Sequence, residues 1–152
     1  LKDVYELLSH PDYAIGIVRK VDNLPILQKE LELLNRLKND YGLPTVEILG
    51  NKIITYNGKP AIVMKKYAEQ SKDIKDLGGS FVFNQKSIDD LNALRQSLIR
   101  NQIEIKDPQF LVGKDGSVVI ADPENVLFNT EATTVIKEID DLIKIAQDNV
   151  KK

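Results

Sequence analysis

The stretch Ser87–Glu124, SIDDLNALRQSLIRNQIEIKDPQFLVGKDGSVVIADPE, leaves this chain little freedom in how it folds. Ser87 with Asp90 three residues on reads as a helix start, and Leu91, Leu94 and Leu98 recur at helical spacing to give one buried stripe. Phe110 to Val112 and Val118 to Ile120 are short β-prone runs around Gly113-Lys114-Asp115-Gly116, a hairpin turn. Glu104, Asp107 and Gln109 precede that hairpin and Asp122 follows it. Oxygen donors at both mouths of one hairpin suit a hard cation such as Mg²⁺, which takes oxygen ligands and brings phosphates with it. Asp107-Pro108 and Asp122-Pro123 are also turn-forming dipeptides, which alone accounts for acids at these points.

The N-terminal half supplies a different kind of structure. Lys2 to Leu8 and Tyr13 to Val21 are β-prone runs separated by Ser-His-Pro-Asp, a turn that holds the only histidine, His10, as a surface residue. Leu24-Pro25 then opens a helix with Leu27, Leu31, Leu34 and Leu37 on its apolar face, ended by Gly42 and Pro44. Glu30 lies on or beside that face. Such a Glu either meets a cation, because an unpaired buried carboxylate is costly, or snorkels to the surface. Val46 to Leu49, Ile53 to Tyr56 and Ala61 to Met64 read as strands, the last two joined by the hairpin dipeptide Asn57-Gly58. A polar run with Lys65, Lys66, Lys72 and Lys75 leads to Gly78-Gly79-Ser80, either a solvated connector or a patch for phosphate or an acidic partner. Thr130 or Thr133 caps a last helix through Asn149, with Val135, Ile139, Leu142, Ile143, Ala146 and Val150 on its packed face.

Composition bounds the function. A chain of 152 residues with 42% apolar residues buries a real core as one domain or two small lobes sharing a cleft. The 21 basic and 23 acidic residues give a net charge of −2, so no global field draws it to nucleic acid. With no cysteine there is no disulfide, thiol catalysis or Cys-based zinc site. No apolar run reaches the ~20 residues that span a bilayer, and no signal peptide is visible. The first residue is Leu rather than Met, as in an excised piece of a longer protein.

The order of these elements resembles the protein-kinase fold: a small sheet with a helix after its second strand, a connector, then helix, loop and hairpin ending in Asp. Asp3-Val4-Tyr5-Glu6 and Tyr13-Ala14-Ile15-Gly16 are similar to the second and third strands of a kinase small lobe. Glu30-Leu31-Glu32-Leu33-Leu34-Asn35-Arg36-Leu37 resembles the αC helix, and Leu43-Pro44-Thr45-Val46 the lead into the fourth strand. Ile62-Val63-Met64-Lys65-Lys66-Tyr67 is similar to the fifth strand and the hinge that grips adenine. Kinases carry H-R-D-x-x-x-x-N and then D-F-G. Here Gln102-Ile103-Glu104-Ile105-Lys106-Asp107-Pro108-Gln109 stands in the first place and Ala121-Asp122-Pro123-Glu124 in the second.

The resemblance implies an α+β chain with a roughly five-stranded antiparallel small lobe (1–67) carrying one inserted helix. A hinge and linker (68–86) and a truncated, mostly helical large lobe (87–152) with the catalytic hairpin follow. It implies Asp122 and Gln109 as Mg²⁺ ligands; Glu104 or Asp107 as base, with Lys106 beside them; and Glu30, Met64 and Lys65 as nucleotide-binding residues for ATP. The phosphate-gripping Lys of the third strand is replaced by Gly16, which leaves Arg19 or Lys20 to reach over in its stead. The Gly-rich phosphate loop is missing from the chain. The pattern is most similar to compact kinase-like domains of bacterial effectors and polymorphic, contact-dependent-inhibition-type toxins, secreted or delivered into a target cell, with a cognate immunity or host protein as partner and no membrane anchor. Gly16 and the missing loop favour a second reading, an inactive kinase-like module that binds a partner protein. A third is another metal-assisted transferase or nuclease built on Glu104, Asp107 and Asp122.

Overall fold

Residues 2–151 are described by the computed structural model. In the first half, β1 (Lys2–Glu6), β2 (Tyr13–Val18), β3 (Ile54–Tyr56) and β4 (Lys59–Lys65) form an antiparallel sheet in the order β1-β2-β4-β3. Asn57 and Gly58 turn β3 into β4 with φ of 50° and 77°, the left-handed pair that a tight hairpin requires. Helix α1 (Leu24–Tyr41) is inserted between β2 and β3, with Pro25 in its first turn and Gly42 at φ 66° as its C-cap. Its buried face is Leu27, Glu30, Leu33, Leu34 and Leu37. Leu33 thus takes the place expected of Leu31, which is half-buried.

The small sheet has four strands, not five. Val46 to Leu49 does not form a ladder, because its backbone is divided between two sheets. Val46 N donates to Ile120 O at 2.9 Å, while Ile48 bridges Met64. Gly50, at φ 69°, then turns the chain through a 3₁₀ turn over Leu49–Asn51.

The expected connector is also structured. Strand β5 (Glu69–Gln70) pairs with Val112 and Leu111, and α2 (Ser71–Leu77) follows. Only Ile74 and Ser71 of α2 are buried, and the Ser71 hydroxyl accepts from Phe110 N at 3.0 Å. One buried apolar residue in seven, with Leu77 exposed, is too few to show periodicity, so a helix of this length reads as linker.

Helix α3 (Gln85–Arg100) begins two residues before Ser87. Asn84 is its N-cap, and Ser87 is the reciprocal member of a capping box: Asn84 N donates to Ser87 Oγ at 3.1 Å and Ser87 N to Asn84 Oδ1 at 3.3 Å. Asp90, freed from capping, accepts from Val118 N at 3.0 Å. The hairpin of β7 (Gln109–Val112) and β8 (Val118–Ala121) lies where expected, and β6 (Glu104–Ile105) pairs with β9 (Val126–Leu127). Helix α4 (Thr134–Val150) packs on α3 through Val135, Ile139, Leu142 and Ala146, whereas Val150 is exposed. None of the described helices is long and apolar enough to cross a membrane.

Two cores result. Ala14, Val18, Leu27, Leu34, Ile62 and Met64 fill the space under the sheet. Leu91, Leu94, Leu98, Ile105, Phe110 and Ile139 belong to the second, which also contains Leu37 of α1.

Glu104 is 1% exposed. Its oxygens accept from the amides of Thr133 (3.2 Å), Thr134 (2.9 Å) and Val135 (3.1 Å), and from the Thr133 hydroxyl. These are donors that the first turn of α4 leaves without helical partners, so a carboxylate from β6 caps the helix. Burial works against its charge, but the donors outweigh burial and hold its pKa down at about 2. A depressed folded value means stability present above the unfolded carboxylate pKa and lost as the pH falls toward 2. Glu104→Ala therefore lowers stability at pH 7 by about 2–4 kcal/mol, and the gap to the parent narrows between pH ~5 and ~2. Denaturant unfolding at pH 7 and at low pH reads both.

Candidate active site

β2 and β4 bring the apolar side chains Ala14, Ile62 and Met64 to one face, and β7–β8 brings Leu111 and Ala121 opposite them. Between lies a cavity of about 400 Å³. Lys65, Lys66, Tyr67 and Ala68, in the segment that runs from β4 to β5, close one end. At the other end Lys2, Glu30 and Asp122 are shared with a second cavity of about 210 Å³, completed by Asp107, Gln109 and Glu124.

Lys2 organises this junction. Its ammonium lies 2.8 and 2.7 Å from the two Glu30 oxygens and 2.9 Å from Asp122 Oδ1. Three donors thus meet three carboxylate acceptors, with the Lys2 and Glu30 side chains each 9% exposed. Burial disfavours the charged amine, but Glu30 and Asp122 more than offset it and hold the Lys2 pKa above its ordinary value. Burial raises the Glu30 pKa; Lys2 pulls it down, Asp122 and Glu124 push it up, and the net shift is upward. One ammonium faces four carboxylates around the smaller cavity, so the site retains an excess of negative charge.

Lys2 was not among the candidates read from the sequence. It sits on β1, whereas the resemblance places the cation on the next strand, at Gly16. The register explains the exchange: Val4 pairs with Gly16 and Lys2 with Val18, so all four lie on the same face of the sheet. The Lys2 stem runs over Gly16, where an added Cβ would lie 3.2 Å from Lys2 Cδ and 2.9 Å from Met64 Cε. The one available signal was Gly16 itself, since a glycine inside a strand marks the close approach of another group.

The other sequence candidates divide. Glu30, Asp107, Gln109 and Asp122 line the smaller cavity, and Met64 and Lys65 line the larger one. Asp107 accepts from Asn125 Nδ2 at 3.1 Å. Lys106 is exposed and lines an adjoining groove of about 340 Å³ that also touches Asp107 and Gln109. Glu104, committed to the end of α4, lies outside these cavities. Arg19 pairs with Asp3 at 3.0 Å; Asp3 is one residue from Lys2 and so points to the opposite face of the sheet. Lys20 is exposed and, like Arg19, lines neither cavity. Two of the four lysines in the polar run are paired with acids: Lys66 binds Glu6, and Lys75 binds Glu138 and Asp141. Among the described residues no three His, Cys, Asp or Glu side chains converge closely enough to hold a metal alone.

A family model described as the type III secretion system effector HopBF1 kinase domain matches residues 1–150. The chain belongs to this family. The type III effector protein HopBF1 of Pseudomonas syringae pv. syringae (strain FF5) is 28% identical over 162 residues, covering 98% of this chain and 78% of that protein. Among solved structures, the yeast RNA Pol II CTD kinase CTDK-1 complex matches with a TM-score of 0.52 and 15% identity, over 80% of this chain and 41% of that one. That likeness concerns the fold alone, which is protein-kinase-like. The chain is thus a kinase-like bacterial effector domain.

Removing Lys2 tests the electrostatics directly. Lys2→Met leaves Glu30 buried without a cation and costs about 3–5 kcal/mol at pH 7. Protonating Glu30 relieves this, so the deficit shrinks on acidification, read by denaturant unfolding at pH 7 and 5.

Proposed function

We propose that this HopBF1-family domain is a Mg²⁺- and ATP-dependent phosphotransferase. On this reading it acts in a cell into which it is delivered, where a host protein carries the acceptor hydroxyl. The observation that carries the reading is the Lys2 ammonium held between Glu30 and Asp122 at the edge of an apolar cleft. It supplies the cation whose loss at position 16 was the main ground for an inactive module.

The apolar walls at Ala14, Ile62, Met64 and Leu111 suit a planar base and exclude water from it. Lys2 meets the phosphates as a point charge kept ionised by its two acids, and Glu30 fixes its direction. The donors at the far side are oxygens of Asp122 and Gln109, which fits a hard cation; these two side chains would hold it together with a bound nucleotide, since too few acids converge to hold one alone. Mg²⁺ supplies neutralisation of charge on the transferred group. Asp107, oriented by Asn125, accepts the proton of the acceptor hydroxyl as its oxygen bonds to the γ-phosphorus and the bond to ADP breaks. Glu104, in the place of the usual base in the sequence pattern, is assigned to structure instead. The type III relative supports delivery into another cell; toxicity there is part of the proposal.

Asp122→Ala tests it. The parent chain with Mg²⁺ and ATP at 100-fold above Kd gains ~2.7 kcal/mol of stability in a thermal-shift assay. The variant loses that shift and its phosphoryl transfer to host-cell lysate proteins. Unchanged transfer in the variant, or no shift in the parent with any nucleotide, sinks the reading.

A further inference from the structure

Helix α1 is shared between the two cores. Leu27 and Leu34 pack beneath the small sheet, and Leu37, one turn on, packs among α3 and α4 residues. Its last two turns close on the large lobe through side chains. The Arg36 guanidinium lies 3.6 Å from the centre of the Phe128 ring, and Phe128 stacks on Tyr41 with centroids 5.7 Å apart and planes 15° from parallel. Both rings also pack against the large-lobe core. Arg36 has an acidic neighbour on its own helix, Asp40, but the two approach only to 4.0 Å. The flat face of the guanidinium is on Phe128 instead.

The place of Phe128 in the chain gives this contact its consequence. Phe128 directly follows β9, and β9 pairs with β6, the strand that leads into Lys106 and Asp107. Phe128 also ends the segment that begins at Asp122. Beyond the helix, Pro44 and Val46 exchange backbone hydrogen bonds with Ile120, two residues before Asp122. Glu30 lies six residues before Arg36, roughly 9 Å along the helix axis. A roll or tilt of α1 at its Arg36 end therefore shifts Glu30 against Lys2 and Asp122.

Resting on the phosphotransferase reading, we propose that Arg36, Tyr41 and Phe128 are positioning residues, a clasp that fixes α1 so that Glu30 keeps Lys2 against Asp122. In regulated kinases the helix bearing this Glu is set in place by a separate activation event. Here the lysine–glutamate pair stands assembled without one, because the helix is held from the opposite lobe.

The test follows the Lys2 amine. Purified chain is treated with acetic anhydride, and the acylation rate at Lys2 is read by tandem mass spectrometry in the parent, Phe128→Ala, Phe128→Tyr, Arg36→Met and Ile139→Val. Lys2 is protected in the parent, in Phe128→Tyr, which keeps the ring, and in Ile139→Val, which loosens the large-lobe core elsewhere. In Phe128→Ala it labels roughly tenfold faster, and Arg36→Met, a surface change that leaves both rings in place, gives a smaller increase in the same direction. In the same variants kcat for ATP turnover falls roughly 10- to 100-fold for Phe128→Ala, with less change in KM. Equal Lys2 labelling in the parent, Phe128→Ala and Arg36→Met overturns the clasp, as does equal exposure in Ile139→Val. A parent with no nucleotide turnover but the full labelling difference keeps the clasp and overturns the phosphotransferase reading instead.

Discussion

An ammonium group with three donors, all three taken by carboxylate oxygens of two other elements, is the constraint from which the rest of this fold is best understood. Lys2 comes from the edge strand, Glu30 from the inserted helix and Asp122 from the end of the second hairpin. Those elements lie 28 and 120 residues from Lys2 in the chain. Satisfying that one group ties the sheet, α1 and the large lobe together at a single point. The energetic sign is not obvious in advance, since each desolvated charge is expensive and only near-complete hydrogen bonding offsets it. Asp122, whose side chain is 46% exposed, is where the acid excess remains open to solvent.

Much of the architecture could be read from local chemistry. The Asn57-Gly58 turn, the Pro25 and Gly42 boundaries of α1 and the β7–β8 hairpin are each specified within a few residues, so tertiary context had nothing to override. Glu30 was recognisable as a carboxylate on a core face, although its cation was not. Failures came where a segment answers to two partners. Val46 to Ile48 has strand composition but divides its hydrogen bonds between sheets, and Ser71–Leu77 hides a single Ile under a polar surface.

The oxygen donors that line the smaller cavity were legible in the sequence, and its amine was not. Asp107, Gln109 and Asp122 stand at fixed offsets within one hairpin, and offsets survive in sequence. The partnership of Lys2 with Glu30 depends on strand register across β1 and β2, which no local pattern encodes. Glu104 shows the converse difficulty. Its position in the chain fits a base, but its environment is a bundle of amide donors at a helix end, which makes it a poor proton acceptor at neutral pH.

The bare backbone at Gly16 has a further implication for anyone repairing the pattern. Writing lysine back into its customary strand, as Gly16→Lys, would drive a second stem through the path of Lys2 and set two like charges competing for one pair of acids. The substitution that makes this chain look most like an ordinary kinase on paper would dismantle its socket. One strand contributes the amine because its neighbour leaves room for the stem, and the two features work only together.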